Sequence, residues 1–299
     1  MSRTTKLMGT ACILASALGA GPAAAASLTG FTTMVDTHYS RTTFNDTDGA
    51  DFNTWSLGGS IAMPIDEVPN LNWQIDASYA HSWNGKDNTF DTDGNCIVCD
   101  AFSAETWNFG FSPFWAGENG RFGINVNYNT QTHWGYLWNG GAFAEWYFGP
   151  LTAQLKAGWL GSGGTPIGGH GNYVGGAITG YALPNLSITG SFTWSSIITG
   201  ASLESTPFPS CMAQVCGRRG WNQKNYGIQA EFLVSESLPI SVYGGFVYTQ
   251  YTVTDGPLVS GDDFNASTFM VGARFYPGQG SLMNKHRDGN LFGWLRGPN

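Results

Sequence analysis

The sequence predicts an all-β protein, a transmembrane antiparallel up-and-down β-barrel of about 12 strands with long extracellular loops and short periplasmic turns. Three observations predict it. A secretory leader opens the chain, apolar and polar residues then alternate with period two through one segment after another, and the connections between segments alternate between long and short.

The opening residues set the compartment. Arg3 and Lys6 form a short basic stretch, residues 7–18 an apolar and small-residue run, and residues 21–27 a small-residue segment with A-x-A options. That order is a secretory signal peptide with cleavage expected after Ala26, so residues 1–26 stand apart from the fold. Gly19, Gly21 and Pro22 interrupt the apolar run and argue against an uncleaved anchor helix. Cys12 precedes most of that run, whereas a lipidated cysteine follows it.

Beyond the leader no apolar window of about eighteen residues is available for a transmembrane helix. The chain holds 42 Gly, 12 Trp, 12 Tyr and 19 Phe against 11% charged residues, roughly half the charge of an ordinary soluble domain. A secreted β-sandwich shares such low charge, so composition alone does not choose between water and lipid. The net charge is -8, and it becomes more acidic once Arg3 and Lys6 are removed. Nucleic acid is therefore not a natural partner.

The alternation is clearest after Arg121, where Phe122, Ile124, Val126 and Tyr128 interleave with Gly123, Asn125, Asn127 and Asn129. It recurs after Leu186, with Ile188, Phe192 and Trp194 on one side and Ser187, Thr189, Ser191, Thr193 and Ser195 on the other. Period two means one greasy and one polar face. Strands are expected to begin near Leu28, Phe52, Leu71, Glu105, Arg121, Gly135, Leu151, Gly171, Leu186, Trp221, Pro239 and Ala266. The connections 42–51, 84–104, 199–220 and 252–265 are long, whereas 117–120, 148–150, 183–185 and 235–238 are short. Long loops at one end and tight turns at the other are the mark of a membrane barrel, and an even strand number puts both termini on the turn side. The barrel is expected over residues 27–276, followed by a periplasmic tail at 277–299.

Aromatic residues on the apolar face fall near the strand ends. Trp73, Trp115, Trp146 and Phe148 lie toward the turns; Tyr39, Trp55, Trp83, Trp107, Tyr128, Trp138, Trp159, Trp194, Tyr226 and Tyr248 lie toward the loops. Two girdles separated by smaller apolar residues fit strands that cross two lipid–water interfaces. On this reading a cationic residue at outward Val126 is costly and one at inward Asn127 much less so.

The leader, the strands joined by paired short turns and the last strand Thr268-Phe269-Met270-Val271-Gly272-Ala273-Arg274-Phe275-Tyr276 resemble the porin-like outer-membrane barrels of Gram-negative bacteria. The resemblance covers nearly the whole mature chain. It implies location in the outer membrane after export through the periplasm, contact with outer-membrane lipid and lipopolysaccharide, and insertion by the barrel-assembly machinery. Such proteins commonly end on an aromatic residue of the last strand, whereas residues 277–299 follow it here.

With the apolar face toward lipid, the other face lines the interior. The expected pore-lining residues are Asp36, His38, Gln74, Asp76, Arg121, Asn125, Asn127, Glu145, Lys156, Glu231 and Arg274, with Asn108, Asn129, Gln154 and Gln229 among them. Such groups either line a water-filled pore, the reading preferred here, or pair and close the lumen. The expected function is passive diffusion of small hydrophilic solutes, neutral or weakly cation-preferring. Resemblance to the twelve-stranded sugar-acid channels of enteric bacteria implies an arginine-rich lumen that binds carboxylates. Here Arg121, Arg274 and Lys156 face Asp36, Asp76, Glu145 and Glu231, so an acidic sugar is disfavoured.

Two other functions compete, a lipid-modifying hydrolase and a structural or adhesion barrel that acts through its loops. His38 and Ser40, two apart on one strand, share a face and offer a base beside a nucleophile. A lipid hydrolase needs that face outward, but Phe31, Val35 and Tyr39 make the opposite face the greasier one. His81 points outward with Tyr79 and Trp83 as neighbours, and neither is a nucleophile of that kind. Gly161-Ser162-Gly163-Gly164 lacks the strand-to-helix setting of a nucleophile elbow. No catalytic residue, cofactor or metal site is assigned.

Cys96, Cys99, Cys211 and Cys216 fall in two loops of an exported chain, where disulfides are the expectation and the pairing is open. A four-thiolate zinc site is the alternative. The acidic groups Asp46, Asp48 and Asp51, and Asp87, Asp91, Asp93 and Asp100, do not complete a calcium loop. The tail carries Lys285, His286, Arg287 and Arg296 beside Leu291, Phe292, Trp294 and Leu295, and is either disordered or a partial plug of the periplasmic mouth.

Overall fold

Alternating side chains favour extended backbone only if every strand finds partners on both edges, and closing the sheet on itself supplies them. The computed structural model describes residues 31–44, 51–65, 67–84, 89–90, 96–98, 103–131, 135–163, 167–201, 219–235, 237, 239–255, 263–277 and 280–287. Its strands are β1 (Thr32–Phe44), β2 (Asp51–Pro64), β3 (Leu71–Asn84), β4 (Thr89–Phe90), β5 (Cys96–Val98), β6 (Ser103–Gly117), β7 (Gly120–Gln131), β8 (Gly135–Phe148), β9 (Leu151–Gly163), β10 (Ile167–Leu183), β11 (Leu186–Ala201), β12 (Arg219–Leu233), β13 (Ile240–Asp255) and β14 (Asp263–Phe275). β4 and β5 pair as a small separate hairpin, and the other twelve form a closed antiparallel barrel. Each barrel strand pairs with its neighbours along the chain, and β1 closes the ring by pairing with β14. Among the described residues no helix is long and apolar enough to cross a membrane, so the crossing elements are strands.

The two faces of the wall differ as lipid demands. Val126 is 53% exposed on the outside, while Asn125 and Asn127 on either side of it are 1% exposed inside. Phe109, Phe111, Phe122, Ile124, Ile178, Ile228, Phe269 and Val271 extend the exposed apolar belt around the barrel. Trp115, Trp146 and Phe148 stand exposed near the turns, and Tyr39, Trp55, Tyr128, Trp138, Trp159 and Tyr226 near the opposite rim. Water would make such a belt aggregate; a bilayer solvates it.

The turns have local causes. Gly149 adopts φ 54° before Pro150, and Asn70 adopts φ 66° in the turn that leads into β3, both conformations that suit these residue types. Residues 118–119, 149–150 and 184–185 make the tightest reversals. At the other rim the sequence spacing is uneven, because residues 132–134 and 164–166 join their strands as briefly as the turns do. β10 begins at Ile167 rather than near Gly171, since its ladder with β11 runs out to Ile167 opposite Ala201. Paired backbone there carries a glycine-rich stretch that periodicity alone leaves outside the strand.

A short helix, α1 (Leu282–Arg287), follows the last strand, where the sequence carries no helix signal. Gly280 at φ 126° lets the chain swing inward. The Ser281 hydroxyl accepts from the Asn284 amide at 3.3 Å, and Lys285, His286 and Arg287 occupy the last turn, where the helix dipole favours cations. Leu282 is fully buried with Met34, Leu233 and Tyr276. Burying such a side chain contributes roughly 1.5–3 kcal/mol.

Candidate functional site in the barrel interior

Register decides which inward groups meet. Asp36 on β1 stands opposite Arg274 on β14, at the seam that closes the barrel. Arg274 Nε donates to Asp36 Oδ2 at 2.9 Å, and its Nη1 engages Glu231 of β12. The guanidinium lies 4.1 Å from the Tyr243 ring centroid, and the Tyr243 hydroxyl donates to the same Asp36 oxygen at 2.9 Å. Glu231 Oε1 also accepts from Ser241 at 2.5 Å and from Tyr276 at 2.9 Å. A buried carboxylate needs this many partners to stay charged out of water.

A second cluster sits on another part of the wall, where Arg121 of β7 faces Glu145 of β8. Arg121 Nε and Nη2 approach Glu145 Oε2 at 2.8 and 2.7 Å, and Gln154 donates to Oε1 at 2.8 Å. Tyr147 adds a hydroxyl donor at 3.2 Å. Both halves of the pair are buried, so removing either one would leave the other without its main partner away from water.

Deeper along the wall the groups are mostly amides and hydroxyls. Gln74 donates to Asp76 at 2.7 Å, while Asn127 and Asn125 donate to Asn139 Oδ1 at 2.9 and 3.4 Å. Gly110 stands between Asp76 and Asn127, and a Cβ there would lie 2.5 Å from Asn127 Oδ1 and 3.1 Å from Asp76 Oδ2. The missing side chain is what lets acid and amide share that patch of wall. Tyr173 likewise lies against the wall over Gly158, where a Cβ would come within 2.7 Å of its Cζ, and Lys156 Nζ sits 6.0 Å from its ring centroid.

At the turn-side mouth α1 touches much of the ring. Arg121 Nη2 donates to the His286 carbonyl at 2.9 Å, Tyr181 of β10 meets His286 Nδ1 at 3.1 Å, and Glu231 lies 3.6 Å from His286 Nε2. Arg287 donates to the carbonyls of Gly149 and Leu151 at 2.7 and 2.8 Å and to the Thr152 hydroxyl at 3.2 Å. Its guanidinium also lies over the rings of Tyr147 and Tyr181. Burial pulls the His286 imidazole below its ordinary basicity, and the nearby Glu231 carboxylate offsets only part of that.

All eleven interior residues singled out from the sequence lie on the inner wall, and they fall into separate groups: Asp36, His38, Glu231 and Arg274 near the seam, Arg121 and Glu145 opposite, and Gln74, Asp76, Asn125, Asn127 and Lys156 along the wall. Period-two reading missed the inward aromatics Phe114, Phe143, Tyr173 and Tyr243, because it reserves large rings for the lipid face. The parity of Tyr243 against exposed Val242 is the signal that marks it as inward. His38 does not partner Ser40. It meets Ser56, its cross-strand neighbour, at 2.7 Å from Nδ1 and 3.1 Å from Nε2, and Asp36 at 3.3 Å from Nδ1. Ser56 thus reaches both ring nitrogens and Asp36 reaches Nδ1, and the whole group lies inside the barrel rather than toward lipid. Cys96 lies in β5; Cys99, Cys211 and Cys216, residues 1–26 where a signal peptide is expected, and residues 288–299 lie outside the described residues.

The sequence matches no family model and no curated protein. The fold has solved counterparts. The COG4313 outer membrane channel from Pseudomonas putida F1 superposes with a TM-score of 0.52 over 84% of this chain and 97% of that one, at 8% identity. By fold, the chain is a transmembrane antiparallel β-barrel. The translocator domain of autotransporter NalP from Neisseria meningitidis gives a TM-score of 0.46 at 11% identity, covering 91% of this chain and 97% of that one. The KdgM porin in complex with disordered oligogalacturonate gives 0.43 at 6%, covering 80% and 98%. The apolar belt of this barrel requires a bilayer, as does that of the outer-membrane channel whose fold it shares.

Proposed function

We propose that the barrel is an outer-membrane channel for passive diffusion of small hydrophilic solutes, neutral or weakly cation-preferring. The observation that carries this reading is the inner wall. Gln74, Asn108, Asn125, Asn127, Asn139, Gln154, Thr179, Thr193 and Ser195 lie on it from several strands, where a barrel built only for rigidity would pack aliphatic side chains. These groups are buried against one another in the resting barrel, so passage requires side chains to move aside, and the amides and hydroxyls then offer a solute the hydrogen bonds it leaves behind in water.

The charges argue for weak selectivity. Arg121 cancels Glu145, and Arg274 is shared by Asp36 and Glu231, so the wall presents pairs rather than a field of one sign. Carboxylates outnumber the cations among the sequence-derived interior residues, which favours cations slightly. Planar-bilayer recording of the purified full chain tests the reading. Stepwise conductances with a small cation-directed reversal potential are expected. Electrically silent insertion across a range of voltages and pH would overturn it.

A further inference from the structure

We propose that α1 is a latch that closes the turn-side mouth of the channel, anchored at Leu282 and released at His286 and Arg287; the inference rests on the channel reading. β7 and β12 lie on opposite sides of the ring, and His286 reaches both, through its carbonyl to Arg121 and its imidazole to Glu231. A six-residue helix in contact with facing walls lies across the opening rather than beside it.

The two ends of α1 grip differently. Leu282 is held by apolar packing against Met34, Leu233 and Tyr276, and its amide donates to the Pro184 carbonyl at 2.8 Å. His286 and Arg287 hold instead by hydrogen bonds and ring contacts: Arg287 to the carbonyls of Gly149 and Leu151 and over the rings of Tyr147 and Tyr181, and His286 to Tyr181. The wall does not depend on those contacts. Glu145 keeps Arg121, Gln154 and Tyr147 when the helix leaves, and Glu231 keeps Arg274, Ser241 and Tyr276. Release strands no wall carboxylate without a cation, which is the penalty that makes most buried charged contacts permanent. The Lys285 ammonium, at 3.3 Å from the Tyr276 carbonyl, and the guanidinium of Arg287 regain water on release.

The test uses the full chain carrying Arg287→Ala or His286→Ala, with heat-modifiable gel migration as the check that the barrel is intact. Trypsin cleavage after Lys285, buried when α1 is seated, reads release independently of current. Arg287→Ala removes charge-assisted hydrogen bonds and is expected to speed that cleavage about tenfold, the factor one such bond is worth. Arg287→Lys keeps the charge but loses the fork and is expected to fall between. In bilayers the same variants are expected to raise open probability in the same order. Unchanged cleavage and unchanged open probability in folded Arg287→Ala overturn the latch while leaving a conducting channel. Faster cleavage with silence from wild type and variants alike overturns the channel reading, and the gate with it.

Discussion

Asp36 and Arg274 are 238 residues apart in sequence and 2.9 Å apart in space, across the one seam where the first and last strands of the barrel meet. The pair ties closure of the barrel to the charge balance of its interior. Glu231, 1% exposed, draws on the same guanidinium. Arg274→Ala therefore leaves a buried carboxylate short of its cation, and a loss of roughly 3–5 kcal/mol is expected in reversible urea unfolding from lipid vesicles. Arg274→Lys should recover part of it, because a point charge cannot serve two carboxylates in the fork geometry. A change under about 1 kcal/mol for the alanine variant would mean that the seam is held by backbone pairing alone.

The outer belt makes a second prediction. Val126→Arg places a charge against lipid and should cost roughly 2–4 kcal/mol by the same measurement. The inward neighbour is no longer a cheap control. Asn127 is buried, donates to Asn139 and crowds Gly110, so Asn127→Lys should also destabilise, through packing rather than lipid exposure. Changing lipid thickness should move the Val126→Arg penalty and leave that of Asn127→Lys nearly unchanged.

The latch carries a pH dependence. His286 is faced by Glu231 from β12, Arg274 from β14, Glu145 from β8, Arg121 from β7 and Tyr181 from β10, by Tyr276 after β14, and by Lys285 and Arg287 on its own helix. Seated, its basicity lies below the ordinary 6.5, mainly because burial disfavours the charged ring. Released into water it regains that value, so the proton is bound more tightly in the released state. Seating is fully stable above about pH 6.5 and weakens as pH falls below it. Open probability should rise on acidification from pH 7.5 to 5.5, and the rise should be lost in His286→Gln. A rise as large in that variant would assign the pH response to another group.

Ion selectivity is the fourth test. Asp76 lies on the inner wall beside Gln74, on β3 rather than on the strands that carry Arg121 and Arg274. Asp76→Asn keeps the shape and removes one fixed charge, so reversal potentials in a tenfold salt gradient should move toward anions by several millivolts. No shift would place the ion path away from this stretch of wall.

The sequence by itself determined the class of fold, the strands and their two faces. Those properties are local: alternation such as Phe122 to Tyr128 has to put one set of side chains in lipid, and Gly149-Pro150 has to turn, whatever the rest of the chain does. It also identified Asp36, Arg121, Glu145, Glu231 and Arg274 as inward residues, because parity is written into a strand one residue at a time. Which of them meet was decided only by the tertiary structure. Arg274 finds Asp36 because the ring closes in one register, Tyr173 lies flat because register brings Gly158 and Gly141 beneath it, and α1 forms where six residues with no strong helix signal gain an apolar pocket and a ring of turn carbonyls. Contacts between distant segments depend on strand stagger and closure, and a one-residue slip would exchange every partner while leaving the local pattern of each strand intact.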